Sequence, residues 1–264
     1  MTTCPTRNAR CERRTGQTDV KITVLGSGDA FGSGGRFNTC LHVEAGGAAI
    51  LLDCGSSSMT ALNRAGVDRN GLSAVLFTHF HADHFGALPA FLLDAQLISR
   101  RKDPLTIAGP RGIAQRTATL LEAHFPGASS MSWRFPLSFV EIAPDRPGNV
   151  AGLAVEAFPM DHDERAGPCQ GYRLAHGGKI FAYSGDTCWT EGLLPLAAGA
   201  DVLLLECCTF EQKLPGHLDY RTVIEKRPQL SASRIILTHM GDSMLQAAEP
   251  LALERAHDGL VILP

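Results

Sequence analysis

Short apolar runs bounded by glycine, proline or polar clusters recur along the whole chain. Residues 21–25 read as a first strand, and a glycine-rich turn from Gly26 to Gly35 follows it. Residues 39–44 and 48–53 read as two strands joined at Gly46-Gly47, a hairpin signal. Residues 74–78 form a continuous apolar run, the pattern of a strand covered on both faces. Helices are predicted over 56–65, 89–99 and 111–124, the last from apolar positions spaced three and four apart. Strands are expected over 106–108 and near 137–142, the latter inside a proline-rich stretch, 126–150, that carries no other pattern.

The second half follows the same grammar. Strands are predicted over 155–159, 171–175, 179–184, 200–207 and 234–238, with helices near 190–198 and over 219–230. Residues 259–263 close the chain as an edge strand. Two echoes link the halves. The run from Ala74 to His79 resembles that from Arg234 to His239, each an apolar strand ending in Thr-His. The run from Ile50 to Gly55 likewise resembles that from Ile180 to Asp186. Both echoes put polar residues at strand ends, where α/β folds place their sites.

Composition narrows the class. Of the 264 residues 44 % are hydrophobic and 19 % charged, which excludes a disordered chain. The net charge of −3 and the lack of a basic stretch disfavour a polyanion-coating protein. No apolar run is long enough to span a bilayer. Residues 1–20 carry Arg10, Arg13 and Arg14 but no apolar segment of a secretory signal, and read as a flexible extension. The eight cysteines contain no Cys-x-x-Cys pair and form no disulfide framework. Free thiols in a reducing, cytoplasmic compartment are expected.

The chemistry concentrates in Thr78-His79-Phe80-His81-Ala82-Asp83-His84. Imidazole and carboxylate are good ligands for zinc, manganese and iron. In extended backbone His79 and His81 point to the same side and would bind one ion together. Asp83 and His84 follow one turn later and would face a second.

This His-x-His-x-Asp-His run after a buried strand resembles the signature of the metallo-β-lactamase superfamily. Later landmarks follow in order, so the resemblance covers the chain from about residue 21 onward. Asp53 matches the family's early aspartate, His162 the next metal histidine, Asp186 the bridging carboxylate and His239 the last ligand. The resemblance implies one α/β domain over 21–264, a four-layer αββα sandwich with its site between two sheets. It implies two divalent ions. His79, His81 and His162 would hold the first, Asp83, His84 and His239 the second, and Asp186 would bridge them. Zinc is the default for such a set, and manganese or iron fit the same ligands. Two ions close together can lower the pKa of a bridging water and clamp attacking and leaving oxygens. Asp53 would orient a ligand from behind.

Gly216-His217-Leu218-Asp219-Tyr220 precedes the last ligand by about one helix and one strand. A histidine there resembles the ribonuclease Z-like branch, and the form His-Leu-Asp-Tyr its small phosphodiesterases, such as phosphoribosyl cyclic phosphodiesterase. The implied activity is hydrolysis of a small or cyclic phosphodiester by a hydroxide bridging the ions, with Asp83 and His217 as catalytic groups. Gly171 and Asp186 are only fifteen positions apart, which leaves no room for the arm that transfer-RNA-maturing members carry there. Transfer RNA is therefore disfavoured as a partner, and the resemblance implies a homodimer. The alternatives are a lactonase, sulfatase or β-lactamase-like hydrolase, a ribonuclease Z-type nuclease, and a non-catalytic binding protein. Arg36, Asn38 and Arg173 are weaker candidates for anion contacts. His42, His124, His176 and His257 lack ligand neighbours in the sequence, and Trp133 and Trp189 read as packing residues.

Overall fold

A computed structural model describes residues 20–248 and 250–264. Apart from Val20, the expected N-terminal extension lies outside the described residues. Strands β1 (Lys21–Gly26), β2 (Cys40–Ala45), β3 (Ala48–Leu52), β4 (Ala74–Leu76), β5 (Leu105–Gly109) and β6 (Leu137–Glu141) build a first sheet. Strands β7 (Gly148–Val150), β8 (Leu153–Pro159), β9 (Gln170–His176), β10 (Lys179–Tyr183), β11 (Val202–Glu206), β12 (Arg234–Thr238) and β13 (Glu254–Arg255) build a second. The last strand, β14 (Val261–Ile262), returns to the first sheet and pairs with β1 as its edge.

The apolar runs decide how these sheets stack. Successive strand residues face opposite sides, so a run apolar at every position is covered on both faces. Leu52 and Leu76 join Tyr172, Phe181 and Leu204 in a core between the sheets. Their neighbours Leu51, Val75 and Phe77 pack outward with Leu62, Leu92 and Leu121. Those three come from α1 (Ser58–Ala65), from α3 (Leu88–Leu93), which follows the single turn α2 (Ala82–Phe85), and from α4 (Ile113–His124). On the far side Leu203, Leu205 and Leu237 pack against α5 (Leu193–Ala197) and α6 (Tyr220–Lys226) through Leu193, Leu196 and Val223. A single turn, α7 (Asp242–Leu245), follows β12. The layers therefore run helix, sheet, sheet, helix, as the resemblance implies. No helix among the described residues is long and apolar enough to cross a membrane.

Where the expected elements differ, local chemistry accounts for it. The helix expected over 219–230 starts behind Asp219, whose carboxylate accepts the Thr222 amide at 2.9 Å, and stops at Lys226. Pro228 lacks the N–H that a further turn needs, and a tighter turn, Arg227–Gln229, takes over. The helix expected over 89–99 widens after Leu93 into one π-type turn. Elements β7, β13, α2 and α7 have two to four residues each and are too short to show a period.

Both sheets share one pairing plan. From β14 to β3 in the first, and from β7 to β10 in the second, neighbours are antiparallel. From β3 to β6, and from β10 to β13, they are parallel. The echo between the runs at 50–55 and 180–186 thus falls on equivalent strands, β3 and β10. The Thr-His echo joins β4 to β12, which stand one strand apart in the plan.

Arg101 locks the turns beside β4 and β5. It is 2 % exposed, and its guanidinium donates to the carbonyls of Arg69, Leu72, Asp103 and Pro104. Truncation would leave buried carbonyls without donors. Arg101→Ala is expected to lower stability by about 3 kcal/mol, read as a lower urea midpoint with an unchanged slope.

Candidate metal centre

The parallel strands deliver the polar residues. Beyond the carboxyl ends of β3, β4, β10, β11 and β12 lie Asp53, the 79–84 run, Asp186, Cys207 and His239 in turn. Crevices outside strand carboxyl ends are where α/β sheets bind ligands. The backbone is still extended at His81, which caps α2, and that turn swings Asp83 and His84 inward. Gly55 permits the close approach this requires, since a Cβ there would lie 1.9 Å from the Asp83 carbonyl oxygen. Asp53 and His239 adopt φ of 61° and 56°, a left-handed conformation rare outside glycine and concentrated at functional sites.

Two groups of ligand atoms result. One nitrogen each from His79, His81 and His162 lies within 4.8 Å of the others. Atoms of Asp83, His84, Asp186 and His239 do the same. Asp186 stands between the groups. Its Oδ2 is 3.9 Å from Nε2 of both His79 and His162 and 3.3 Å from that of His239. Its Oδ1 is 3.2 Å from His84 Nε2. The seven residues that the sequence motif and the resemblance single out therefore converge on one buried point.

A layer behind them fixes the rings. His84 Nδ1 meets Asp53 Oδ2 at 2.7 Å, and the Thr78 amide donates to Asp53 Oδ1 at 2.8 Å. Thr78 Oγ1 donates to Asp53 Oδ2 at 2.9 Å and also lies 3.0 Å from His79 Nδ1. His162 Nδ1 donates to the Gly216 carbonyl at 2.8 Å. In His79 and His84 this leaves Nε2 for a ligand bond, the usual arrangement behind metal-binding histidines, whereas His162 Nε2 meets His81 Nδ1 at 2.9 Å.

The donor set fits divalent cations. His79 Nε2, His84 Nε2 and Asp186 Oδ1 are buried without a hydrogen-bond partner, a costly state for a polar atom unless something else satisfies it. Charge points the same way. Burial pushes His79 and His162 below the ordinary imidazole range, so both offer a lone pair. Burial would do the same to His84 and His239, but Asp186 and Asp83 outweigh it and hold both well above that range. Burial pushes Asp83 and Asp186 upward as well, and the neighbouring imidazoles override it, keeping both well below the carboxylate range. The cluster is built to surround positive charge.

His217 joins the cluster from the 207–219 loop. Its ring centroid is 4.8 Å from that of His162 and 5.5 Å from that of His239. Its Nδ1 meets Glu206 Oε1 at 3.0 Å. Sequence reading passes over Glu206, because it closes an otherwise apolar strand. A carboxylate at the end of a fully buried run is the signal that marks it. Burial raises its carboxyl, partly offset by His217.

The weaker candidates have other partners. Arg36 donates to Ser27 Oγ and the Ala256 carbonyl, and Asn38 exchanges hydrogen bonds with Ser57. Arg173 holds the carbonyls of Pro195 and Ala198. His42, His124, His176 and His257 enter no ligand group among the described residues. Trp133 and Trp189 pack against the two outer cores.

Comparison with known proteins agrees with this geometry. The model of the beta-lactamase superfamily domain matches residues 48–240. The ribonuclease Z of Mycolicibacterium paratuberculosis is 30 % identical over 251 residues, covering 87 % of this chain and 89 % of its own. The metallo-beta-lactamase fold protein YhfI from Bacillus subtilis superposes with a TM-score of 0.74 at 20 % identity, over 94 % of this chain and all of its own. A diphosphatase from the PhnP family superposes with a TM-score of 0.73 at 20 % identity, over 92 % and 97 %. The chain belongs to the metallo-β-lactamase superfamily, in the company of ribonuclease Z enzymes, and is a metal-dependent hydrolase.

The ring supports give a test. Asp53→Ala is expected to weaken divalent-metal binding about 10- to 100-fold, measured by competition against a chromophoric chelator. Metal added at about 100 times its dissociation constant should stabilise the wild type by about 2.7 kcal/mol, a gain that chelation reverses.

Proposed function

We propose that this hydrolase is a phosphodiesterase acting on small or cyclic phosphodiesters, with His79, His81 and His162 on one divalent ion, Asp83, His84 and His239 on a second, and Asp186 between them. The observation that carries the reading is His217, fixed through Nδ1 on Glu206, stacked on His239 and edge-on to His162. Acyl or sulfate chemistry on this set does not require such a group. A phosphodiester gives it two tasks, pairing with the anionic pentacoordinate phosphorus centre and protonating the leaving alkoxide.

Bound divalent ions would lower the pKa of a coordinated water and neutralise charge on the phosphoryl oxygens. The chain's residues supply the rest. Asp83, kept ionised by His84 and His239, orients the attacking water. Burial pulls His217 toward neutrality, but the hydrogen bond and charge of Glu206 outweigh it and hold the ring above the ordinary imidazole range. Its Nε2–H then donates to the leaving oxygen, and Glu206 stabilises the imidazolium before that transfer.

Ribonuclease Z relatives favour a second reading, cleavage of an RNA precursor. Two features weigh against it. β9 and β10 are joined by the two-residue turn Gly177-Gly178, with no arm between them. A cavity of about 380 Å³ beside His162 is lined by Asp161, Asp163 and Glu164 and by no lysine or arginine that would hold a phosphate backbone.

The test is hydrolysis of bis(p-nitrophenyl) phosphate beside p-nitrophenyl sulfate, a lactone and a precursor transfer RNA. Phosphodiester turnover should dominate. His217→Ala should lower kcat about 10²- to 10⁴-fold on a cyclic alkyl phosphodiester, and less on bis(p-nitrophenyl) phosphate, whose nitrophenolate leaves without a proton, with metal content near two per chain. Preferred cleavage of the lactone or sulfate, or of the RNA, would sink the small-phosphodiester reading.

A further inference from the structure

Two cysteines follow Glu206, and their thiols meet different surroundings. Cys207 Sγ lies 3.8 Å from Met244 Sδ, within the outer core. The Cys208 thiol lies against His239 instead. One ligand atom each from Cys208, His217 and His239 falls within 4.8 Å of the others.

The backbone holds these three segments together. The Cys208 amide donates to the carbonyl of Leu218, next to His217, at 3.0 Å. The Cys208 carbonyl accepts from the amide of Gly241, two residues past His239, at 2.8 Å. Gly241 permits that approach, since a Cβ there would lie 3.0 Å from the Cys208 carbonyl oxygen. The Cys207 amide donates to the Thr238 carbonyl at 2.9 Å.

Each histidine has a nitrogen to spare. Glu206 takes His217 Nδ1, which leaves Nε2. His239 Nε2 faces Asp83 and Asp186 at 3.1 and 3.3 Å, and its Nδ1 is buried without a hydrogen-bond partner. A buried polar atom left in that state calls for an explanation. The Cys208 residue is 8 % exposed and the His217 side chain 20 %, so the group is reached from solvent beside His217. The other groups of this kind among the described residues contain only histidine and aspartate.

We propose that Cys208, His217 and His239 form a third cation site, which takes a thiophilic divalent ion and inhibits the enzyme by occupying His217. A thiolate with two imidazoles is a softer donor set than imidazoles with carboxylates, and selects softer ions. Donors bound to one such ion at about 2.0 to 2.3 Å stand roughly 3.5 Å apart, so movements of about an ångström close this group on it. The Cys208 proton leaves to solvent as Sγ binds, and no electron is transferred. His239 meets the ion through Nδ1 and keeps Nε2 for the Asp83 and Asp186 side, so the catalytic ions stay. His217 Nε2 then carries the ion and has no proton to donate. The inhibition rests on the phosphodiester reading; the binding does not.

Cadmium alone is the probe, added to the full chain already loaded with zinc. The wild type should take up one further ion per chain, with a thiolate-to-cadmium charge-transfer band in the ultraviolet and no loss of zinc. Cys208→Ser should lack that band, and His217→Ala should need more cadmium to show it. Cadmium should slow wild-type hydrolysis of glycerol 1,2-cyclic phosphate, followed by ³¹P NMR, about 10²-fold or more, and that of Cys208→Ser less than about twofold against its own cadmium-free rate. Zinc released in step with cadmium uptake, an equal band in Cys208→Ser, or equal inhibition of both proteins would overturn the proposal. Should Cys208→Ser fail to fold, a band unaltered in His217→Ala overturns it as well. If no phosphodiester is cleaved, the phosphodiester reading falls, and the band still decides the site.

Discussion

Four carboxylates, Asp53, Asp83, Asp186 and Glu206, lie within the interior at 0 to 7 % exposure. An unpartnered charge in such surroundings costs several kcal/mol even after relaxation. Imidazoles meet that demand, His84 between Asp53 and Asp186, His239 between Asp83 and Asp186, and His217 against Glu206. The requirement that these charges face one another constrains the loops around them. It explains why Asp53 and His239 hold left-handed backbone, a strain of about 1 to 3 kcal/mol each, and why Gly55 has no side chain.

The two sheets solve this problem in parallel. β3 pairs with β4, and β10 with β11, in the same sense, and Asp53 and Ser184 follow the two equivalent strands. In the first sheet the Thr78 amide donates to the Asp53 carboxylate; in the second the Glu206 amide donates to Ser184 Oγ. Acid and hydroxyl have exchanged strands. Each acid then meets one histidine through Nδ1, Asp53 meeting His84 and Glu206 meeting His217. One sheet's pair sits behind a residue assigned to metal, the other's behind the residue assigned to proton transfer. The equivalent strand pair thus carries two different chemical tasks in the proposed reading.

Legibility in the sequence follows distance along the chain. His79, His81, Asp83 and His84 are close enough that strand and helix periods alone predict where they point. His162, Asp186 and His239 stand alone in their segments, and only resemblance to a family singles them out. Glu206 escapes sequence reading because a single acid closing Val202–Glu206 looks like a strand terminus at the surface until the fold shows the whole run buried. Phe31 likewise reads as part of a glycine-rich turn, since exposure is a property of the folded chain.

By itself the sequence determined the sequence-local features: the buried strands, their covered faces, the outer helices and the spacing of the first ligands. These depend on side-chain period and on turn chemistry within a few residues. The tertiary structure decided which strand ends share an edge, that Asp186 lies between two groups of histidines, that Glu206 backs His217, and that the loop after β1 is braced by Asp258. Each of these depends on contacts between residues far apart in the chain. Strand register and sheet stacking set those contacts, and no local period encodes them.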